Sequence, residues 1–219
     1  MQLDAASPYD LSRFLQENAE QLSSVSVLVN NAGAGHFGDL CGQSDEDVRK
    51  AIHLLLETPV ALTRAVLPDM RARGRGQIVY MSSLAALFPL PYMAIYSSTK
   101  AALSQFAAGM ALVEGRTGVK FLDVQAGDFR TGFNRNLGRP QVLSEAETAA
   151  WQRLEQLLEN GPPAERAARG IARAVARSRG GQLRIGGFFQ ARIAPLGARL
   201  LPQRLLMALI RFYYGLPGP

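Results

Sequence analysis

Residues 77–103, QIVYMSSLAALFPLPYMAIYSSTKAAL, admit few folds, because they begin as a strand and end as a helix. Ile78, Val79, Tyr80 and Met81 form a short apolar, partly β-branched run, the pattern of a strand buried on both faces. Tyr96 to Gly109 is rich in Ala, Ser and Leu and carries no Pro, which predicts a helix. Between them Ser82-Ser83 falls where the strand should stop, the edge at which open parallel sheets collect their chemistry. Tyr96 and Lys100 are one helical turn apart, so both side chains project from the same face.

A free tyrosine titrates at about 10 and is a poor base at neutral pH. A neighbouring cation favours the phenolate. Bringing the phenol near 7 requires roughly 4 kcal/mol, at about 1.4 kcal/mol per unit. One lysine supplies part of this, and a positively charged oxidised nicotinamide would supply more. A serine hydroxyl opposite the phenol could hold a substrate carbonyl by a hydrogen bond. Y-x-x-x-K alone is a weak motif, since most chance matches are solvated helix faces. The double serine ending an apolar strand thirteen residues before the tyrosine makes it far more specific.

On these residues the chain resembles the short-chain dehydrogenase/reductases. The resemblance rests on Asn30-Asn31-Ala32-Gly33 after a strand, Ser83, Tyr96-x-x-x-Lys100, and a further strand leading into Ala126-Gly127 and Thr131. It covers Leu3 to about Gly187. It implies an α/β fold, a Rossmann-like parallel sheet flanked by helices, in one domain over residues 1–219. It also implies an oxidoreductase moving a hydride between NAD or NADP and a carbonyl or secondary alcohol, with no metal. Tyr96 would be the general acid/base, Lys100 would bind the nicotinamide ribose and depress the tyrosine pKa, and Ser83 would polarise the carbonyl. Cofactor contacts would fall on Asp4, Asn31, Ala32, Gly33, Gly127 and Thr131, besides Tyr96 and Lys100. Family members pair through the helices carrying Asp45 to Arg73 and Tyr96 to Gly109, so a homodimer or homotetramer is implied.

Three departures matter. The family's relay asparagine falls on Leu55, and His53, two residues away, points roughly 160° from it on a regular helix, as a packing or surface residue would. Pro59 lacks the N–H that would bond the Leu55 carbonyl and should kink the helix there. The family's Pro-Gly is Ala126-Gly127, whose glycine can still take an unusual backbone angle. Finally, a first strand, glycine-rich turn, helix and second strand should precede Leu3-Asp4 and do not, and one βαβ unit needs about 30 residues. The chain thus reads as N-terminally truncated, with one sheet edge exposed. The alternative function is a non-catalytic remnant or fragment that cannot bind cofactor on its own. Gly33-x-Gly35-x-x-Gly38 is no substitute, because the next helix signal waits until Ser44-Asp45-Glu46-Asp47.

Elsewhere, Leu3-Asp4 reads as a strand end, Ser7-Pro8 as a helix start running to about Leu22, and Val25 to Val29 as a strand. A helix is expected from Asp45 to about Arg73, and strands from Val119 to Gln125 and from Gln182 to Gly187. Residues 132–163 read as a lid over the substrate or an ordinary helical excursion, and Pro163 to Arg177 as an amphipathic helix. Arg199 to Tyr214 forms another, able to cap the substrate pocket, dimerise or lie in a membrane interface.

The net charge of +6 is concentrated at the end, where ten arginines follow Gly161 against one acid, Glu165. Solvated helix faces or an anionic membrane surface would account for them. The aromatic-and-basic interleaving of a nucleic-acid binder is missing. Cys41 is the single cysteine, and no apolar run is long enough to span a bilayer. With no secretory start, a cytoplasmic setting is expected. No G-x-S-x-G elbow surrounds Ser82 or Ser83, which disfavours a serine hydrolase. The greasy C-terminus suggests an apolar substrate; the choice between NAD and NADP is not legible.

Overall fold

The structure is a computed structural model and describes residues 2–133 and 137–216. In chain order it contains helices α1 (Pro8–Glu17) and α2 (Ala19–Ser23), strands β1 (Val27–Asn30) and β2 (Gly35–His36), helices α3 (Asp45–Ile52) and α4 (Thr58–Ala72), and β3 (Gly76–Met81). Then come α5 (Ala94–Val113), β4 (Val119–Ala126), β5 (Leu137–Gly138), α6 (Glu145–Glu159), α7 (Ala164–Ala176), β6 (Gly181–Ile185), α8 (Ala194–Leu200) and α9 (Gln203–Tyr213).

Strands β1, β3, β4 and β6 pair in that order, all parallel. Parallel neighbours need crossovers, and each crossover here is helical. The expected class, a Rossmann-like parallel sheet flanked by helices, is the one observed. Alternation along the strands divides the core. Ile78, Tyr80, Val119 and Phe121 face α4 and α5, where Val66, Met70, Leu103 and Ala107 are buried with them. Val79, Leu122 and Val124 face the other way, onto Ala174 of α7. Strands β3 and β4 are thus covered on both sides, which is why they read as continuous apolar runs.

Among the described residues β1 has a sheet neighbour on one side only. Its register pairs Leu28 with Ile78 and Val29 with Val79, so Val27 and Val29 lie on the α7 side, where they are 43% and 47% exposed. This is the open edge that the sequence anticipates.

Local structure departs from expectation in four places. Leu3-Asp4 forms no strand. The Asp4 carbonyl accepts from the Ser7 N–H at 3.1 Å and its carboxylate from the Ala6 N–H at 3.0 Å, so the segment is a turn. The helix started by Ser7 and Pro8 breaks at Asn18, whose side-chain amide bonds the Phe14 carbonyl at 2.8 Å. The helix expected over 45–73 comes in pieces, because His53–Glu57 wind into one π turn between α3 and α4. Pro59, in the first turn of α4, offers no N–H to Leu55, and the widened turn absorbs the missing bond. The helix expected over Arg199 to Tyr214 divides at Leu201-Pro202, since a residue before proline is driven to extended backbone. No helix among the described residues is long and apolar enough to cross a membrane.

Candidate active site

The C-terminal ends of β1, β3 and β4 bring Asn30, Ser82-Ser83 and Ala126-Gly127 to one edge of the sheet. Ser83 leaves β3 in extended conformation and caps a short turn, Leu84–Ala86. Its Oγ accepts from the Ala85 N–H at 3.0 Å and donates to the Ala126 carbonyl at 3.3 Å. The Tyr96 side chain, from the first turn of α5, comes close enough to the Ser83 hydroxyl for that hydroxyl to favour its phenolate. Lys100, one turn on, is 5% exposed, and its Nζ donates to the Met81 carbonyl at 2.7 Å. The ammonium lies 5.6 Å from the centre of the Tyr96 ring. Three side chains read from the sequence as one set are therefore adjacent.

Their electrostatics differ from the simple expectation. Burial pushes the Tyr96 phenol up to about 12; the Ser83 hydroxyl opposes this and the Asp128 charge adds to it. Burial pushes Lys100 down to about 8, with Asp123 opposing. The resemblance implies that Lys100 depresses the Tyr96 pKa, and the sequence reading has it supply part of the stabilisation. In the protein alone desolvation wins, and the phenol is neutral at neutral pH.

Asp123 was not anticipated. Its carboxylate accepts from Ser82 Oγ, from Ser104 Oγ at 2.6 Å and from Gln125 Nε2 at 3.1 Å. Gln125 in turn accepts from Arg184 Nε at 2.9 Å. The signal lay in parity: Val119, Phe121, Asp123 and Gln125 share the α5 side of β4, where an acid demands partners. Asp128 is a second such residue. Its carboxylate accepts from Gln190 Nε2, and its own N–H donates to Gln190 Oε1 at 3.1 Å, across 62 residues of sequence. A Cβ at Gly127 would meet that same Oε1 at 2.6 Å, so a larger residue there would have to push the Gln190 amide aside.

The remaining candidates are scattered around this edge. Asn31, Ala32 and Gly33 form an exposed loop after β1. Leu55 packs beneath it, its Cδ2 3.8 Å from where a Cβ on Gly33 would sit. Asn30 is buried, and neither atom of its amide has a partner. Thr131 is exposed, its hydroxyl accepting from the Phe133 N–H at 3.2 Å. Asp4 is exposed in its turn before α1. His53 is a packing residue, its Nδ1 2.8 Å from Glu57 and its Nε2 3.3 Å from the Thr58 hydroxyl. Gly33 to Gly38 runs into β2 and a loop rather than a helix, so it is no dinucleotide fingerprint.

An apolar cluster packs against Tyr96. β5 pairs with β2, and α6 opens with a reciprocal Ser144–Glu147 cap, whose carboxylate also accepts from the Asp39 N–H at 2.9 Å. Trp151 of α6 meets Phe37 edge-on at 5.1 Å, and Phe133 lies 5.6 Å from the Tyr96 ring. Met93, Leu137 and Leu154 complete the buried part, with Leu216 against it. Residues 134–136 of the expected lid lie outside the described residues.

The profile of the family described as short chain dehydrogenase matches residues 1–142. The chain is 27% identical over 227 residues to 3-ketodihydrosphingosine reductase of Bacteroides thetaiotaomicron, covering 98% of this chain and 82% of that protein. To human 17-beta-hydroxysteroid dehydrogenase 13 it is 29% identical over 137 residues, covering 61% of this chain and 46% of that protein, or about half of that relative's length. A solved short-chain dehydrogenase from Streptomyces avermitilis superposes with a TM-score of 0.76 at 27% identity, over 98% of this chain and 78% of that one. One from Burkholderia phymatum, solved with NAD, gives 0.75 at 20% identity, over 95% and 75%. Joined to the arrangement at the ends of β3 and α5, the match over residues 1–142 shows that the chain belongs to the short chain dehydrogenase family.

Proposed function

We propose that this chain is an oxidoreductase that transfers a hydride between NAD or NADP and a carbonyl or secondary alcohol, with Tyr96 as general acid/base. The observation that carries this reading is the Tyr96 phenol beside the Ser83 hydroxyl, with the ammonium of a buried Lys100 5.6 Å from its ring. A phenol kept neutral by burial is the proton donor that carbonyl reduction needs. The Ser83 hydroxyl, on turning its proton away from the Ala126 carbonyl, would hold the substrate's carbonyl oxygen while the phenol protonates it. An ammonium has three donors, and Lys100 spends one on Met81, leaving others for ribose hydroxyls.

The residues present fit the nicotinamide-ribose end of such a dinucleotide. Asn30 holds an unsatisfied buried amide at the end of β1, and the Asn31–Gly33 backbone and the Thr131 hydroxyl are exposed beside it in sequence or at the same sheet edge. Lys100, Asn31, Ala32, Gly33, Gly127 and Thr131 are assigned to that end, and Asp4 to the adenine. When bound, the dinucleotide supplies or accepts the hydride, which no side chain can do. Solved relatives in this fold hold NADPH in Sphingobium yanoikuyae and NAD in Burkholderia phymatum, which supports the assignment.

The substrate is assigned to apolar ketones or alcohols. Relatives named for a keto-sphingoid base and for hydroxysteroids support this, as does the apolar packing of Phe133 on the Tyr96 ring. Pairing through the surfaces of α4 and α5 is part of the same proposal. The test is to supply purified protein with NADH or NADPH and a panel of apolar ketones, and to titrate each dinucleotide calorimetrically. Turnover is expected, with Lys100→Met weakening dinucleotide binding and rate together. Absence of both binding and turnover would favour a non-catalytic remnant instead.

A further inference from the structure

The last third of the chain wears apolar residues on its outside. Phe189, Ile193, Leu196 and Leu200 recur at one-turn intervals through the Phe189–Ile193 turn and α8, and Leu205, Leu209 and Phe212 do so along α9. Such spacing gathers each set into one stripe, which a helix ordinarily buries. Here the first set is 56%, 47%, 59% and 74% exposed, and the second 48%, 48% and 86%. Two consecutive helices, separated only by Leu201-Pro202, thus leave their greasy stripes uncovered.

Charge says what would cover them. No acidic residue follows Glu165, while arginines continue to Arg211. Arg192, Arg199 and Arg204, interleaved with the stripes, take part in none of the ion pairs among the described residues. Six arginines, among them Arg173, Arg177 and Arg192, also line an adjoining cleft of about 830 Å³ to which Phe188 contributes. A second copy is a poor occupant: a twofold contact sets a patch against itself, so arginine would face arginine with no carboxylate to offset it. Lipid headgroups with negative charge are the complement that this face lacks.

We propose that the α8–α9 face docks this protein on bilayers bearing anionic lipids, with the two stripes in the interfacial layer and the arginines among the headgroups. The face is fastened to the rest of the molecule near the apolar cluster. Arg153 of α6 donates from Nε to the Tyr213 carbonyl at 3.0 Å, and its guanidinium stacks over the Tyr213 ring at 5.0 Å. Leu216 packs against the cluster over Tyr96. A docked molecule therefore has its lipid-facing helices tied to the cluster that packs on Tyr96. Docking itself does not depend on the chemistry assigned to Tyr96.

The experiment is flotation of the full chain with vesicles of phosphatidylcholine alone and of phosphatidylcholine with phosphatidylglycerol in equal parts. Binding is expected to the mixed vesicles, to weaken steeply with salt, and to be slight on the neutral ones. Arg199→Glu and Arg204→Glu should each weaken binding by about five-fold or more. Phe212→Glu, at a position too exposed to matter for folding, should abolish it with circular dichroism unchanged. Equal binding to both vesicle types, or none to either, would overturn the proposal. So would a dimer that Phe212→Glu dissociates in the absence of vesicle binding, which would identify a second copy as the occupant.

Discussion

The two faces of the sheet are built differently. On the α4–α5 side Tyr80 is fully buried, its hydroxyl 2.8 Å from that of Thr63, its ring stacked on Phe121 and edge-on to Phe106. Further along the same face come Ser82, Asp123, Ser104 and Gln125, each hydrogen-bonded to another of the group. On the α7 side the buried cluster shrinks to Val79, Leu122, Val124 and Ala174, and Val27 and Val29 are left in water. The contrast teaches where precision is invested. Helix α5 buries Leu103 and Ala107 in the dense face and presents Tyr96 and Lys100 at the sheet's end, so the helix that packs the core also aims the site.

The largest effect should come from opening the dense face. Tyr80→Ala is expected to cost about 3–5 kcal/mol in urea unfolding, because it removes a large ring and orphans Thr63. Val79→Ala, on the other face, should cost about 1–3 kcal/mol. Equal losses would erase the distinction. Next comes Asp123→Ala, which strands the hydroxyls of Ser82 and Ser104 and the Gln125 amide. It should cost about 3 kcal/mol and lower turnover, while Asp123→Asn recovers part of the stability.

Lys100 sharpens the comparison through pH. Burial holds its folded pKa at about 8, below the ordinary 10.5, so between those values the unfolded chain binds more protons than the folded one. Wild-type protein should therefore gain stability relative to Lys100→Met as pH rises from 8 towards 10.5, by at most about 1.4 kcal/mol per unit. Below pH 8 the difference should be flat. Thermal melts of both proteins across this range check the sign, and a gap independent of pH would contradict it. Gly127→Ala should cost about 1–3 kcal/mol by displacing Gln190 from Asp128. Smallest of all, Val29→Thr on the open side should change stability by no more than about 0.5 kcal/mol.

Much of this architecture was legible in the residues. The strand of Ile78 to Met81, the Ser83 turn and the Tyr96 helix announce themselves by period and composition, and the structure keeps them within a few residues of the expected bounds. That β1 has a sheet neighbour on one side only among the described residues agrees with the count of strands read from the sequence. Less legible were contacts that join distant segments. Nothing near Asp128 announces Gln190, and nothing near Asp123 announces Ser104. The π turn at His53–Glu57 needed more than the rule that proline kinks a helix, because a kink and a widened turn both dispose of one missing N–H. The pKa of Tyr96 depends on how completely its surroundings exclude water, which no spacing of residues encodes.

The sharpest single measurement is the rate of ketone reduction by Tyr96→Phe beside wild type, under conditions where both bind the dinucleotide equally. Loss of the hydroxyl removes the proton donor and little else, so a fall of about 10²–10⁴ in kcat with an unchanged unfolding midpoint is expected. A variant that reduces ketones at the wild-type rate would show that the proton travels by another group.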